Sequence, residues 1–330
     1  MKAKLVTASS QSSSSPPPSS ASSRRIVVLD VARGIALVAM AIYHFAWDLE
    51  FFGWMAPATT LQGGWLYFAR SIATSFLFLV GVSLFLAHGN GIRWPSVWKR
   101  LAQVAGAAAL ISAATWFVPG GFIFFGILHG IALFSLIGLA FLKLPWPAVI
   151  AAAAGVFAVE KGFSHEIFAL PALWWVGLAP VAPQANDYVP LFPWLTPVLV
   201  GIAVAILMGK RGAWESLAEI NLPTPLQRPL SFFGRNSLIF YLVHQPILMG
   251  MVYLFTTFIA QPDYANGFVA QCQVSCANTR TEQFCKAYCT CMIDDMQRED
   301  LLTPFMTRRL SEAQHNRLLE KRDMCVAKQN

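Results

Sequence analysis

The chain has 330 residues, 56% of them hydrophobic and only 12% charged, with a mean hydropathy of +0.52. A soluble domain carries roughly 25% charged residues, so this composition excludes one and predicts an all-α, polytopic helical membrane protein. The formal net charge of +7 needs no nucleic-acid partner, because loop Lys and Arg lying on one side of a bilayer account for most of it.

Residues 1–24, which include most of "SSQSSSSPPPSSASSRR", are too rich in Ser and Pro to bury a core and are expected to be disordered. No apolar stretch precedes a small-residue cleavage site there, so they do not read as a signal peptide. Crossing a bilayer takes about 20 apolar residues. Apolar segments predict about seven transmembrane helices, near 26–47, 65–87, 98–118, 122–142, 145–160, 191–209 and 236–259. Between the fifth and sixth, "FALPALWWVGLAPVAP" is too short and too Pro-broken to span, and its paired tryptophans suit an interfacial or re-entrant segment over 161–190. The organisation expected is a membrane domain over 25–262 and a small Cys-rich helical tail over 263–330.

Basic residues set the orientation. Arg24, Arg25, Arg93, Lys99, Arg100, Lys143, Lys210, Arg211, Arg228 and Arg235 all fall on one side of a seven-span chain. That side is predicted to be cytoplasmic, with the N-terminus inside and the tail in the periplasm of a bacterium, the protein being multi-pass in the inner membrane.

All six cysteines lie in the tail. "CQVSC" and "CKAYC" place cysteines four apart, on one face of a helix. Two such helices folded antiparallel are most simply stapled as Cys272–Cys289 and Cys276–Cys285, leaving Cys291–Cys325 to hold a last helix. Six cysteines allow fifteen connectivities. Zinc is the rival reading, but Cys-x2-Cys is its usual spacing and no His accompanies these cysteines. A periplasmic location suits disulfides.

Ionisable groups inside membrane helices are functional candidates. The first helix holds Asp30, Arg33, His44 and Asp48. The eleven-residue step from Arg33 to His44 is within about 20° of three full turns and rises about 16 Å. One stripe therefore carries Asp30 and Arg33 near the cytoplasmic end and His44 and Asp48 near the outer end. Arg70 and His129 enter from the outer side at matching depth. Arg235 and Asn236 stand at the cytoplasmic interface, with Tyr241, His244 and Gln245 deeper, and Pro246 interrupts the backbone ladder of that helix. Structural alternatives stay open: an Asp30–Arg33 pair that only locks the helix, an interfacial His44, and a His244 that only packs. Haem would need two imidazoles at one depth, which only His44 and His129 offer, so no metal or bound cofactor is expected.

The chemistry of these side chains fits acyl transfer. Neutral imidazole can take the proton of an attacking hydroxyl or amine. Asp48 could orient His44 as a carboxylate orients the histidine of a hydrolase triad, and Arg33 could bind phosphate. Arg70 or His129 could stabilise an oxyanion or meet the acceptor. A transporter or flippase of a glycan-linked or anionic solute is the alternative use of such a stripe.

"VVLDVARGIALVAMAIYHFAWDL" resembles the first helix of the membrane-bound acyltransferase superfamily, whose Arg-x10-His signature is met by Arg33 and His44. "SFLFLVGVSLFL", "FFGILHGIALFSL" and "LSFFGRNSLIFYLVHQPIL" resemble later blocks of the bacterial branch of the heparan-α-glucosaminide N-acetyltransferase type, related to acyltransferase type 3. The resemblance implies transfer of an acyl group, acetyl foremost, from cytoplasmic acetyl-CoA or another acyl-CoA to a hydroxyl or amine of an extracytoplasmic glycan. It implies His44 as the catalytic histidine and Arg33 as a donor-binding residue. Asp30, Arg235, Asn236 and His244 are grouped with Arg33 as donor-side candidates. The Cys-rich tail lies outside the resemblance and is available to a protein partner.

Overall fold

The structure is a computed structural model that describes residues 26–56, 58–117, 121–183, 185–220, 223–260, 262–277, 279–306 and 310–329. The expectation of disorder over 1–24 lies outside the described residues. All seven predicted helices form. They are α1 (Val27–Phe51), α2 (Gly63–His88), α3 (Trp94–Thr115), α4 (Ile127–Leu139), α5 (Trp146–Gly162) and α6 (Leu191–Lys210), and, after the short α7 (Ala213–Glu219) and α8 (Thr224–Arg235), α9 (Ser237–Phe258). The tail adds α10 (Tyr264–Ala277), α11 (Glu282–Arg298), α12 (Leu302–Met306) and α13 (Glu312–Ala327). Among the described residues there is no strand, only a single bridge between Phe125 and Tyr188.

Four of the seven, α1, α2, α6 and α9, are long and apolar enough to cross a membrane. The others fall short for separate reasons. At 13 residues α4 rises about 20 Å, and α5 at 17 residues about 26 Å, both less than a hydrocarbon core of about 30 Å. α3 has 22 residues but carries Lys99 and Arg100 in its second turn. α4 starts five residues later than the apolar run because residues before it are extended, with Val189 donating to the Phe125 carbonyl. Segment 161–190 does not span: it makes two 3-10 turns, Glu166–Ala169 and Pro171–Val176.

Helices α1, α2, α4, α3 and α9 pack in that order as a closed ring, each touching its two neighbours and none touching backbone across it. Such a ring leaves its middle to side chains, chiefly the Tyr241 ring, which meets clusters on α1, α2, α3 and α4. Outside the ring, α6 covers α2 and α4, α5 covers α6, and α8 lies on α1. Close approach requires glycine at two seams. A Cβ on Gly81 would strike the Val198 carbonyl and one on Gly201 the Phe78 carbonyl, so α2 and α6 meet backbone to backbone. Gly34 and Gly234 do the same between α1 and α8, against Leu230 and Asp30.

The tail has its own core of Phe268, Met292, Ile293, Met296, Leu301 and Leu318. Its disulfides are Cys272–Cys289, Cys276–Cys285 and Cys291–Cys325, the pairing that helical spacing favoured. Tyr264 at the start of α10 covers Gly53 just beyond α1.

Candidate active site

At the N-terminal end of α1, Arg33 is ion-paired to Asp30 at 2.9 Å and donates to Ser83 Oγ on α2 at 2.5 Å. Ser83 in turn donates to the Leu79 carbonyl. Arg100 on α3 lines a small cavity together with Leu84 and His88 of α2. His88, buried at the end of α2, accepts from the Arg93 amide at 3.3 Å. Ser83, His88 and Arg100 are members of this group that sequence reasoning did not single out; only Arg100 carried a signal, as part of the basic run 93–100, and it read as a topology marker. Arg235 and Asn236 reach this end through Gly234, which backs on Asp30. Both are exposed and donate to carbonyls of their own helix, Arg235 Nε to Ser231 and Asn236 Nδ2 to Phe232.

Towards the other end of α1, His44 meets His244 of α9, with ring centroids 5.0 Å apart. His244 was grouped with the donor end, and its position corrects that grouping. α9 runs parallel to α1, tied further out by Trp54 Nε1 donating to Thr256 at 2.9 Å, so residue 244 falls level with residue 44. His244 Nδ1 lies 2.7 Å from the Tyr241 carbonyl and 3.2 Å from that of Phe240. Carbonyls only accept, so Nδ1 is assigned the proton and the neutral ring keeps its lone pair at Nε2.

Asp48 is completely buried, and its Oδ1 accepts from Gln245 Nε2 at 2.8 Å. The expected Asp48–His44 bond is not what its carboxylate makes. Residues four apart stand one above the other on the α1 surface, both facing α9, and the partner comes from across the seam. Gln245 was passed over for its neighbour His244; a polar residue next to Pro246 in an apolar helix was the available signal.

Two further candidates sit elsewhere. Arg70 is exposed, whereas the face of α2 that packs on α1 carries Phe68, Ile72 and Phe76; two residues from either neighbour, Arg70 points to the opposite side. His129 has both nitrogens engaged: Gly126 N–H donates to Nδ1 at 3.2 Å, and Nε2 lies 3.3 Å from Ser112 Oγ. Ser112 gives its own proton to the Ile123 carbonyl at 2.6 Å, so Nε2 is the donor. His129 therefore caps α4, a local role that leaves neither nitrogen for an oxyanion. Asp187 completes that helix start, accepting from Ile127 N–H at 2.8 Å and from Tyr241 OH at 3.4 Å. Burial raises its pKa above the ordinary carboxylate value, against those two bonds.

A bundle with spanning apolar helices, an arginine–aspartate pair towards one end of α1 and facing histidines towards the other is an integral membrane protein with a polar site inside its helix ring. The family described as heparan-alpha-glucosaminide N-acetyltransferase, catalytic, matches residues 25–246, and the chain belongs to that family. Its coarse activity is thus membrane acetyltransfer. The matched stretch includes Arg33, His44, Asp48, His244 and Gln245 and stops before the tail. Neither the curated proteins nor the solved structures offer a match.

Proposed function

We propose that the chain carries an acetyl group from cytoplasmic acetyl-CoA to a hydroxyl or amine of an extracytoplasmic glycan, with His44 as the catalytic imidazole and Arg33 as a donor-binding residue. The reading takes α1–α6 and α9 as seven crossings of a bacterial inner membrane, N-terminus inside and tail outside. The short α4 and α5 then rely on their loops and on neighbouring helices to complete the crossing. Residues 25–262 act as the catalytic domain, and 263–330 as an outer appendage open to a protein partner.

The observation that carries this reading is the pairing of His44 with His244 inside a ring of helices whose other end holds Arg33, Arg100 and His88. In the reaction the acceptor oxygen or nitrogen attacks the thioester carbonyl. Its proton passes to the neutral His44, the carbon–sulfur bond breaks, and the proton is returned to the departing thiolate. Cations at the donor end attract the phosphates of CoA, and the guanidinium of Arg33 matches phosphate geometry.

The test is mass spectrometry of surface and periplasmic glycans from a deletion strain complemented with wild type or His44→Ala. Wild type is expected to restore acetylated species that His44→Ala does not; equal restoration refutes the assignment. A periplasm-active reporter fused after residue 330 tests the topology, and silence refutes seven crossings.

A further inference from the structure

Among the described residues, buried side-chain polar atoms without a hydrogen-bond partner are few. Three of the four are Asp48 Oδ2, His244 Nε2 and Gln245 Oε1; the fourth, Glu160 Oε2, has Lys161 beside it at 3.0 Å. The three lie together on the α1–α9 seam. Asp48 is bonded to Gln245, His244 precedes it in the chain, and His44, which faces His244, is one turn from Asp48. Buried polar groups are normally satisfied, and three orphans in one place are costly unless something else meets them.

All three present lone pairs. Gln245 must turn its amide nitrogen to the Asp48 carboxylate, which leaves its oxygen outward. His244 spends its proton on the Tyr241 carbonyl, which leaves Nε2 as an acceptor. Asp48 receives the Gln245 amide on Oδ1, which leaves Oδ2 unmet on the same seam. The unmet atoms beside His44 are therefore two oxygens and an imidazole nitrogen, each with a lone pair to offer.

We propose that Asp48, His244 and Gln245 form a subsite for the polar groups of the acceptor, one that takes a ligand presenting two or more O–H or N–H donors in close array, as the hydroxyls and amine of a sugar ring do. It rests on the acyl-transfer reading above and adds which residues hold the acceptor and by what polarity. A sugar ring whose donors are methylated has no hydrogen to offer these lone pairs and adds bulk at each oxygen, and is excluded.

The experiment is saturation-transfer difference NMR on the full chain in detergent micelles, with D-glucosamine and with methyl tetra-O-methyl-glucoside as the donorless probe. Asp48→Asn is the informative variant. Its carbonyl still accepts from Gln245 while the orphaned oxygen becomes an N–H donor, so the fold is kept and the polarity reversed. His244→Asn is the second variant, because its amide can still donate to the Tyr241 carbonyl and only the Nε2 lone pair is lost. D-Glucosamine is expected to take up saturation from wild type, falling at least fivefold in both variants, while the methylated probe takes up none. Absence of transfer to D-glucosamine in wild type, equal transfer to the methylated probe, or unchanged transfer in Asp48→Asn overturns the subsite. Thiol release from acetyl-CoA by the same sample reads the acyl-transfer proposal separately. Release that needs His44, without sugar binding at the seam, overturns the subsite alone.

Discussion

Arg33 has a structural role beside Asp30 and a proposed one at the donor, and a double variant separates them. Arg33→Gln removes the cation 2.9 Å from Asp30, whose side chain is 7% exposed against 24% for Arg33. Breaking a fully buried pair from one side costs about 3–5 kcal/mol; with Arg33 partly solvated, about 2–3 kcal/mol is expected. If Arg33 also holds a phosphate of the donor, its loss removes a charge-assisted bond of about 1.5–3 kcal/mol, a roughly ten- to hundredfold rise in KM for acetyl-CoA. Adding Asp30→Asn removes the carboxylate that Arg33 had paired. The double variant should regain most of the stability in a thermal unfolding assay, because replacing both partners of an ion pair is much cheaper than removing one. Its KM for acetyl-CoA should stay high. Recovery of KM together with stability would refute the donor role and leave Arg33 as a lock between α1 and α2.

The tail and the α2–α6 seam give two further tests. Replacing Cys291 and Cys325 by Ala opens a loop with a sequence separation of 34, a loss of about 4 kcal/mol on chain-entropy grounds. Amide exchange in α13 should then accelerate by roughly two to three orders of magnitude while the α10–α11 hairpin, still doubly stapled, keeps its protection; unchanged α13 exchange would mean that its apolar core suffices. Gly201→Ala drives a methyl into the Phe78 carbonyl and should destabilise by about 1–3 kcal/mol. Gly155→Ala on α5, where nothing lies within 4 Å, should instead stabilise by up to about 1 kcal/mol through helix propensity. Thermal unfolding of the two variants should move in opposite directions, and movement in the same direction contradicts the close seam.

Helix positions were legible because apolar runs of this length have few other uses, and the tail disulfides because a four-residue step fixes which cysteines share a face. Helix neighbours were not. Periodicity assigns a face to each residue but does not say which helix the face meets, so the stripe from Arg33 to His44 was visible while its division was hidden: Arg33 turns to Ser83 on α2, His44 to His244 on α9. Asp48 was misassigned for the same reason. A same-helix partner at i−4 can be read from sequence; Gln245, 197 residues away, cannot. His129 failed in another way. Its apolar surroundings suggested a lone intramembrane imidazole, but the turn at Gly126 leaves an amide that the ring accepts, a capping interaction visible only once the helix is seen to start at Ile127.

The two ends of the ring differ in their polar groups, and that difference bears on direction. Near the start of α1 stand Arg33 and Arg100, with Arg93 and His88 adjacent and one carboxylate, Asp30, bonded to Arg33. Near its end stand the carboxyl groups of Asp48 and Asp187 with the unmet His244 Nε2 and Gln245 Oε1, while Arg70 faces away. An anionic donor is attracted to the cations of the first end, and a ligand rich in hydrogen-bond donors to the lone pairs of the second. With no backbone contact across the ring, only side chains, chiefly Tyr241, stand between the two ends. The short α4 serves this layout. Starting late, after Gly126, it lets the Asp187 loop reach Tyr241, which joins that loop to the helix that carries His244. Truncating Tyr241 to Phe should therefore disturb the His44 end and leave acetyl-CoA affinity intact, the opposite pattern from Arg33→Gln.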